Sequence, residues 1–286
     1  MLPYSVLRRV LMWSVLMAAY STLAVWKESG EYERYADVPP GLEAALSVAF
    51  GLLLAFRVNR AFDRWWEGRI LWGSLVNACR NFAVKAAAVL TSRDASVDRL
   101  RQLLIAYPYA LKSHLRGGVD ADRLELDAGE RIEAQHVPSA IVTRLYSIMN
   151  VWKEEGRIHY GEFRMLDRES KLLLDVCGSC ERIRDTPIAP SYRTILSHAI
   201  VLYMLSLPWG IVNQFGWWTI PLVFVATYFI IGAQSLADHI EHPFVNDGDG
   251  LQLGRICQSI ETSVNEIFDA PQLQVATKSE TAVAAP

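Results

Sequence analysis

The feature that most constrains this chain is the uneven distribution of its charged residues. Long apolar segments flank a charged middle region, and they cover residues 10–25, 42–56, 194–212 and 217–236. A helix that crosses a bilayer needs about 20 mostly apolar residues, and fewer when flanking arginine side chains reach the headgroups. We therefore predict four transmembrane helices per chain, arranged as two hairpins.

Basic residues predict the orientation of these helices. Arg8 and Arg9 precede the first apolar segment. Four further arginines follow the second segment, namely Arg57, Arg60, Arg64 and Arg69. Because Lys and Arg are enriched in the cytoplasmic flanks of membrane helices, both chain termini are predicted to be cytoplasmic.

The charged middle region has helical periodicity. From residue 57 to 90 apolar residues recur at helical spacing without a proline, which predicts that the second membrane helix continues beyond the bilayer. Segments 96–114, 138–152 and 161–184 share this periodicity, and no segment alternates as a strand does. The predicted fold class is therefore an all-α membrane protein.

These predictions divide the chain into five parts. The first hairpin occupies residues 1–56, a helical cytoplasmic body residues 57–190, and the second hairpin residues 191–240. A cytoplasmic C-terminal segment covers residues 241–268, and residues 269–286 form a tail with too little apolar content to fold. The net charge of -3 and the isoelectric point near 6.1 offer no basic surface for nucleic acid.

All four cysteines are predicted to lie on the cytoplasmic side, where thiols stay reduced. They are Cys79, Cys177, Cys180 and Cys257. Cys177 and Cys180 have the spacing of a zinc-binding pair, but a zinc site needs a second pair of ligands in register. Burial as small apolar side chains is the favoured interpretation, and no metal is predicted.

A polar cluster follows the last apolar segment. His239, His242 and Asp247 are of metal-ligating types, which gives a membrane-bound metal-dependent enzyme as one alternative. The zinc-protease pattern, with two histidines four residues apart, is absent from the sequence. A helix end followed by an interfacial loop is favoured, and neither a cofactor nor enzyme activity is predicted.

The second apolar segment carries a stripe of large side chains. Val48, Leu52 and Phe56 are each four residues apart and lie on nearly one line of a helix. The simplest interpretation is packing against neighbouring helices or lipid. Small residues on the other faces allow close helix approach, so a hydrophobic constriction around a central axis is the second interpretation.

Three motifs resemble those of bacterial bestrophins. The longest, "FRVNRAFDRWWEGRILWGSLVNACRNFA", contains the end of the second apolar segment and the residues that follow it. The others are "CERIRDTPIAPSY" before the third segment and "HPFVNDGDGLQLGRICQSIE" after the fourth. The resemblance extends from residue 2 to about residue 268. It implies a homopentameric ion channel of the bacterial inner membrane, with four membrane helices and a helical cytoplasmic body per subunit.

The resemblance also implies two constrictions along the ion path. The family's three neck positions correspond to Val48, Leu52 and Phe56. A second, cytoplasmic aperture corresponds to Glu162, with Gly161 and Leu166 as alternatives in the same stretch.

Passive conduction of small monovalent ions is the implied activity, with the lipid bilayer and further copies of the chain as partners. Resemblance to bacterial members favours a cation such as sodium, and a ring of Glu162 side chains along the path would act in the same direction. Chloride, passed by animal and plastid members, is the alternative ion, and a membrane scaffold without an open path is a further alternative. The acidic stretch keeps only Asp247 and Asp249 of a calcium site, so no calcium dependence is predicted.

Overall fold

The computed structural model describes residues 4–28, 39–90, 94–118, 134–246 and 248–270. Within these ranges the chain forms α-helices, one turn of 3-10 helix and no β-strand. The helices are α1 (Tyr4–Glu28), α2 (Pro40–Val89), α3 (Ala95–Leu115), α4 (Val137–Glu154), α5 (Tyr160–Asp185), α6 (Pro190–Phe215), α7 (Thr219–Ile240) and α8 (Leu253–Asp269). The predicted all-α fold class is confirmed. Helix α8 includes the first residue of the predicted disordered tail, and residues 271–286 of that tail lie outside the described residues.

Helix α2 dominates the architecture. It contains 50 residues without a break, which at a rise of about 1.5 Å per residue makes it roughly 75 Å long. No proline interrupts it after Pro40, which stands at the first helical position, where its missing N–H is harmless. The prediction that the second apolar segment continues as one helix through the charged residues after it is confirmed.

Among the described residues, three helical stretches are long and apolar enough to cross a membrane. They are Val6–Glu28, Gly41–Val89 and Pro190–Ile240. The third contains α6 and α7, which are separated by the 3-10 turn Gly216–Trp218. Gly216 has a φ of +50°, a conformation that suits a residue without a side chain at the reversal between the two helices.

The chain divides into two compact units. The first unit comprises residues up to Gly73 together with Gly178–Leu253, and the second comprises Ser74–Cys177 together with residues from Gly254 onward. The predicted boundaries at residues 57 and 190 describe the edges of a membrane, so they stay predictions.

The first unit buries an apolar core between α1, α2, α6 and α7. Its buried members are Met17, Phe50, Leu196, Ile200, Met204, Leu207 and Val223. The Phe50 and Tyr203 rings stack with centroids 4.7 Å apart, and the Ser47 and Tyr203 hydroxyl oxygens lie 3.1 Å apart. These contacts fix which face of α2 points into the unit.

The second unit has the core of an ordinary helical domain. Its fully buried side chains include Leu100, Leu103, Leu104, Tyr107, Leu111, Ile141 and Leu145. Helix α3 begins with a capping contact, because the carboxylate of Asp94 accepts hydrogen bonds from the backbone of Ser96 and Val97. All four cysteines of the chain are buried, as predicted.

Candidate ion pathway and its supporting polar network

The predicted neck residues lie on the outer surface of the single chain. Val48, Leu52 and Phe56 are 74%, 55% and 53% exposed, whereas Phe50 on the opposite face is 6% exposed. The stripe therefore takes no part in the core of its own chain. Its apolar surface is available to lipid, to other copies of the chain or to an ion path.

One residue after this stripe, Arg57 is fully buried. Its guanidinium donates hydrogen bonds to the carboxylates of Asp238, at 2.8 Å, and Glu241, at 2.5 Å. A buried arginine is tolerated when anionic partners compensate its charge. The contact joins the middle of α2 to the end of α7.

Glu241 is as deeply buried as its partner. Burial alone would raise the pKa of this carboxyl. The hydrogen bond and charge of Arg57, the backbone hydrogen bond from Ile188 and the charge of Arg193 together outweigh burial and lower the pKa below its ordinary value. The second carboxylate oxygen accepts a hydrogen bond from the backbone N–H of Ile188 at 3.2 Å. Glu241 therefore holds the segment between α5 and α6 as well as α2.

Arg64 extends this polar network. Its guanidinium donates to the carbonyl oxygens of Ile183, Thr186 and Glu241 at 2.5, 2.6 and 3.1 Å. Carbonyls at the end of a helix lack intrahelical hydrogen-bond donors and carry partial negative charge. An arginine supplies both the donors and a compensating positive charge. Arg64 thereby ties the ends of α5 and α7 to α2.

Two further residues of the longest motif, Trp65 and Glu67, form hydrogen bonds outside α2. The Trp65 indole N–H donates to the Asp249 carbonyl at 3.2 Å, and Arg182 donates to Glu67 at 2.9 Å. Arg64 and Glu67 therefore have bonding partners more than one hundred positions away in the chain.

A cavity of about 500 Å³ lies beside the C-terminal end of the stripe. Phe56 and Arg60 of α2 line it together with Ile188, Ala189 and Tyr192. The Tyr192 hydroxyl donates to the carbonyl of Leu53 at 3.3 Å, which anchors the first turn of α6 to α2.

The three candidates for the cytoplasmic aperture differ in exposure. Leu166 is fully buried in the chain, so it cannot line a path. Gly161 is exposed and Glu162 is half-buried. The Glu162 carboxylate accepts a hydrogen bond from the backbone N–H of His159 at 2.7 Å, so it also caps the start of α5.

Two residues of the alternative metal site form hydrogen bonds at the end of α7, and the third lies outside the described residues. His239 Nδ1 is 2.7 Å from the carbonyl oxygen of Ser235, one turn earlier in α7. The backbone N–H of His242 bonds to the His239 carbonyl as the helix ends. Asp247 lies outside the described residues.

Sequence reasoning treated Arg57 only as an orientation signal and did not find its partners. One signal was present: Asp238 and Glu241 are three residues apart at the end of a strongly apolar helix. Two carboxylates on one face at the end of a membrane helix indicate a basic partner, because ionisable side chains there are usually paired. Nothing in the sequence identifies which of the five arginines in α2 that partner is.

These features define the class of protein. The chain is an all-helical membrane protein whose long second helix presents an apolar stripe on its surface and is held to the other helices by arginine contacts. The Bacterial/Fungal Bestrophin protein family matches residues 1–266. The chain belongs to this family, as its motifs predicted.

Known relatives are named as channel proteins. A "voltage-dependent anion channel-forming protein" of Synechocystis sp. is 31% identical over 234 residues, which cover 79% of this chain and 76% of the relative. A protein of the same description from Nostoc sp. is 32% identical, with coverage of 77% and 75%. A crystal structure of a bacterial bestrophin homologue from Klebsiella pneumoniae, 23% identical, has the same fold, with a TM-score of 0.84 over 92% of this chain and 99% of that chain.

Proposed function

We propose that this chain forms a homopentameric channel that passively conducts small monovalent ions, with four membrane helices per subunit. The observation that carries the proposal is the exposed stripe of Val48, Leu52 and Phe56 in a member of a channel family. The membrane helices are α1, the first part of α2, α6 and α7. The path runs along the stripe, where five copies of α2 surround an axis.

An apolar stripe suits the narrowest part of such a path. An ion there sheds part of its hydration shell, and apolar side chains provide no polar replacement, so the constriction is a barrier. The barrier height depends on the width of the path. Large side chains at these three positions keep it narrow, and smaller ones widen it.

We propose chloride, or another small anion, as the conducted ion. The relatives in Synechocystis and Nostoc support this choice through their names as anion channel-forming proteins. Sodium is the second candidate, and the observation that favours it is the partly exposed carboxylate of Glu162. An apolar neck carries no sign of its own, so flanking charges must decide between the two ions.

We propose the bacterial inner membrane as the location, with both termini in the cytoplasm. Arg8 and Arg9 in α1 and the arginines of α2 lie on the cytoplasmic side in this orientation. Contact between copies would bury Phe62 and Trp66, two exposed rings of α2 that stack with centroids 6.3 Å apart. Replacing Trp66 with Ala should reduce the pentamer fraction in size-exclusion chromatography with light scattering, and an unchanged fraction would remove this contact from the proposal.

Reconstitution tests the activity directly. Purified protein is placed in planar bilayers with different sodium chloride concentrations on the two sides. The reversal potential of the current should have the sign of the chloride equilibrium potential. The variant with Val48→Ala, Leu52→Ala and Phe56→Ala should conduct more than the parent. A matched control replaces three exposed apolar residues of α6 with Ala: Ile195, Leu202 and Leu205.

The control variant should conduct like the parent, because those side chains face lipid in the proposed arrangement. Absence of current from both the parent and the triple-alanine neck variant would favour a membrane scaffold without an open path. A reversal potential on the sodium side would replace chloride with the second candidate.

A further inference from the structure

The apolar stripe of α2 continues into two exposed charged residues. Arg60 is four residues after Phe56 and Asp63 is seven residues after it, so both lie on the stripe's side of the unbroken helix. Their side chains are 76% and 66% exposed. Arg60 also lines the same cavity as Phe56, which places the two side chains on one side of the structure.

Arg60 differs from the arginines on either side of it in α2. Arg57 is buried between two carboxylates, and Arg64 donates to three backbone carbonyls. Arg60 instead pairs with Asp63 at 3.9 Å, and both members of the pair are exposed. Exposed pairs of this length contribute little to stability and hold neither side chain firmly. The charge of Arg60 is therefore available to act on ions.

We propose that Arg60 and Asp63 form the charged inner mouth of the neck and that Arg60 sets its preference for anions. This inference rests on the proposed function, in which the stripe lines the ion path. Five guanidinium groups beside an apolar constriction concentrate anions at its entrance and repel cations. Five Asp63 carboxylates act in the opposite direction.

Distance along the helix decides which ring has the greater effect. Arg60 lies about 6 Å beyond Phe56 along the helix axis, and Asp63 about 10 Å beyond it. The Debye length at physiological ionic strength is about 8 Å, so the constriction experiences more of the Arg60 potential than of the Asp63 potential. The net effect at the neck is an attraction for anions.

Reversal potentials of single-charge variants test this inference. Under a sodium chloride gradient between about 15 and 150 mM, Arg60→Gln should lower the chloride-to-sodium permeability ratio by roughly three- to tenfold. Arg60→Lys should retain the parent ratio, because it keeps the charge. Asp63→Asn should raise the ratio by a smaller factor, and every shift should shrink near 1 M salt.

Arg9→Gln is the matched control. It removes one exposed positive charge from α1 rather than from the stripe of α2. The control should leave the reversal potential unchanged, and size-exclusion chromatography should show the same assembly for the parent and all variants.

The outcomes separate this inference from the proposed function. A conducting parent whose reversal potential is unchanged by both Arg60→Gln and Asp63→Asn would overturn the inference and leave the channel intact. A sodium-selective parent that becomes still more sodium-selective in Arg60→Gln would show that Arg60 favours anions, but it would overturn both the net anion preference of the neck and chloride as the conducted ion. Absence of current from the parent and the neck variant would overturn both proposals.

Discussion

The two compact units use apolar side chains in different ways. The second unit buries Leu100, Leu103 and Leu104 completely, as a domain folding in water must. The first unit leaves large apolar residues such as Leu202 and Phe229 on its surface. Since lipid tails are as apolar as these side chains, apolar burial gives little specificity to helix packing in a membrane.

Ion pairs in the two units are also buried to different extents. In the first unit Arg57 and Glu241 are fully buried and bonded to each other. In the second unit the pair of Arg101 and Asp269, at 2.8 Å, remains partly exposed. A fully buried ion pair therefore joins helices of the first unit in addition to its apolar core.

The largest effect should come from breaking the buried ion pair. Arg57→Met leaves two carboxylates without their cation, which should lower the free energy of unfolding by about 3–5 kcal/mol. Arg60→Met, one turn further along the same helix, should change it by less than about 1 kcal/mol because its ion pair is exposed. Thermal unfolding in detergent measures both variants. Equal losses would show that burial of the charge is not the reason for the stability.

A core substitution should have the next largest effect, and it tests the second unit. Leu103→Ala removes a fully buried side chain and leaves a cavity, which should reduce stability by about 3 kcal/mol. Leu202→Ala in α6 trims an equally large side chain that contacts lipid in the proposed arrangement, and it should cost less than about 1 kcal/mol. A larger loss for Leu202→Ala than for Leu103→Ala would contradict the distinction between the units.

The smallest effect should be the acid sensitivity of Glu241. Its pKa is lowered in the folded chain, so its ionised form contributes stability that is complete above its ordinary pKa of 4.5 and is lost as pH falls below it. The stability difference between the parent and Glu241→Gln should therefore be constant near neutral pH and shrink in acid. A stability difference that grows below pH 4.5 would show that folding raises the pKa of Glu241 instead of lowering it.

The sequence predicted the helices well, because helical periodicity depends on neighbouring residues. Segment 161–184 forms α5, Tyr160–Asp185, and the uninterrupted run after residue 57 forms the C-terminal part of α2. The roles of Val48, Leu52 and Phe56 came from the family resemblance, since spacing alone also fitted lipid contact or helix packing.

The polar network could not be predicted in the same way. Arg57 and Glu241 are 184 positions apart, and no local pattern joins them. Arg64 bonds to backbone carbonyls, which carry no sequence signature at all. Such contacts depend on the packing of α2 against the ends of α5 and α7.

A thiol at Leu52, the middle position of the stripe on α2, shows whether the stripe lines the ion path. The four native cysteines should not react with a water-soluble thiol reagent, because they are buried. Burial also raises the pKa of the Cys257 thiol to about 12. Leu202→Cys, on α6, is the control for a thiol that faces lipid.

The measurement is the block of current by a charged, water-soluble thiol reagent applied to Leu52→Cys channels in a planar bilayer. We predict that the reagent blocks Leu52→Cys irreversibly and leaves the parent and Leu202→Cys unaffected. Leu52→Cys channels that keep their full current after exposure to the reagent from both sides would show that the ion path lies elsewhere.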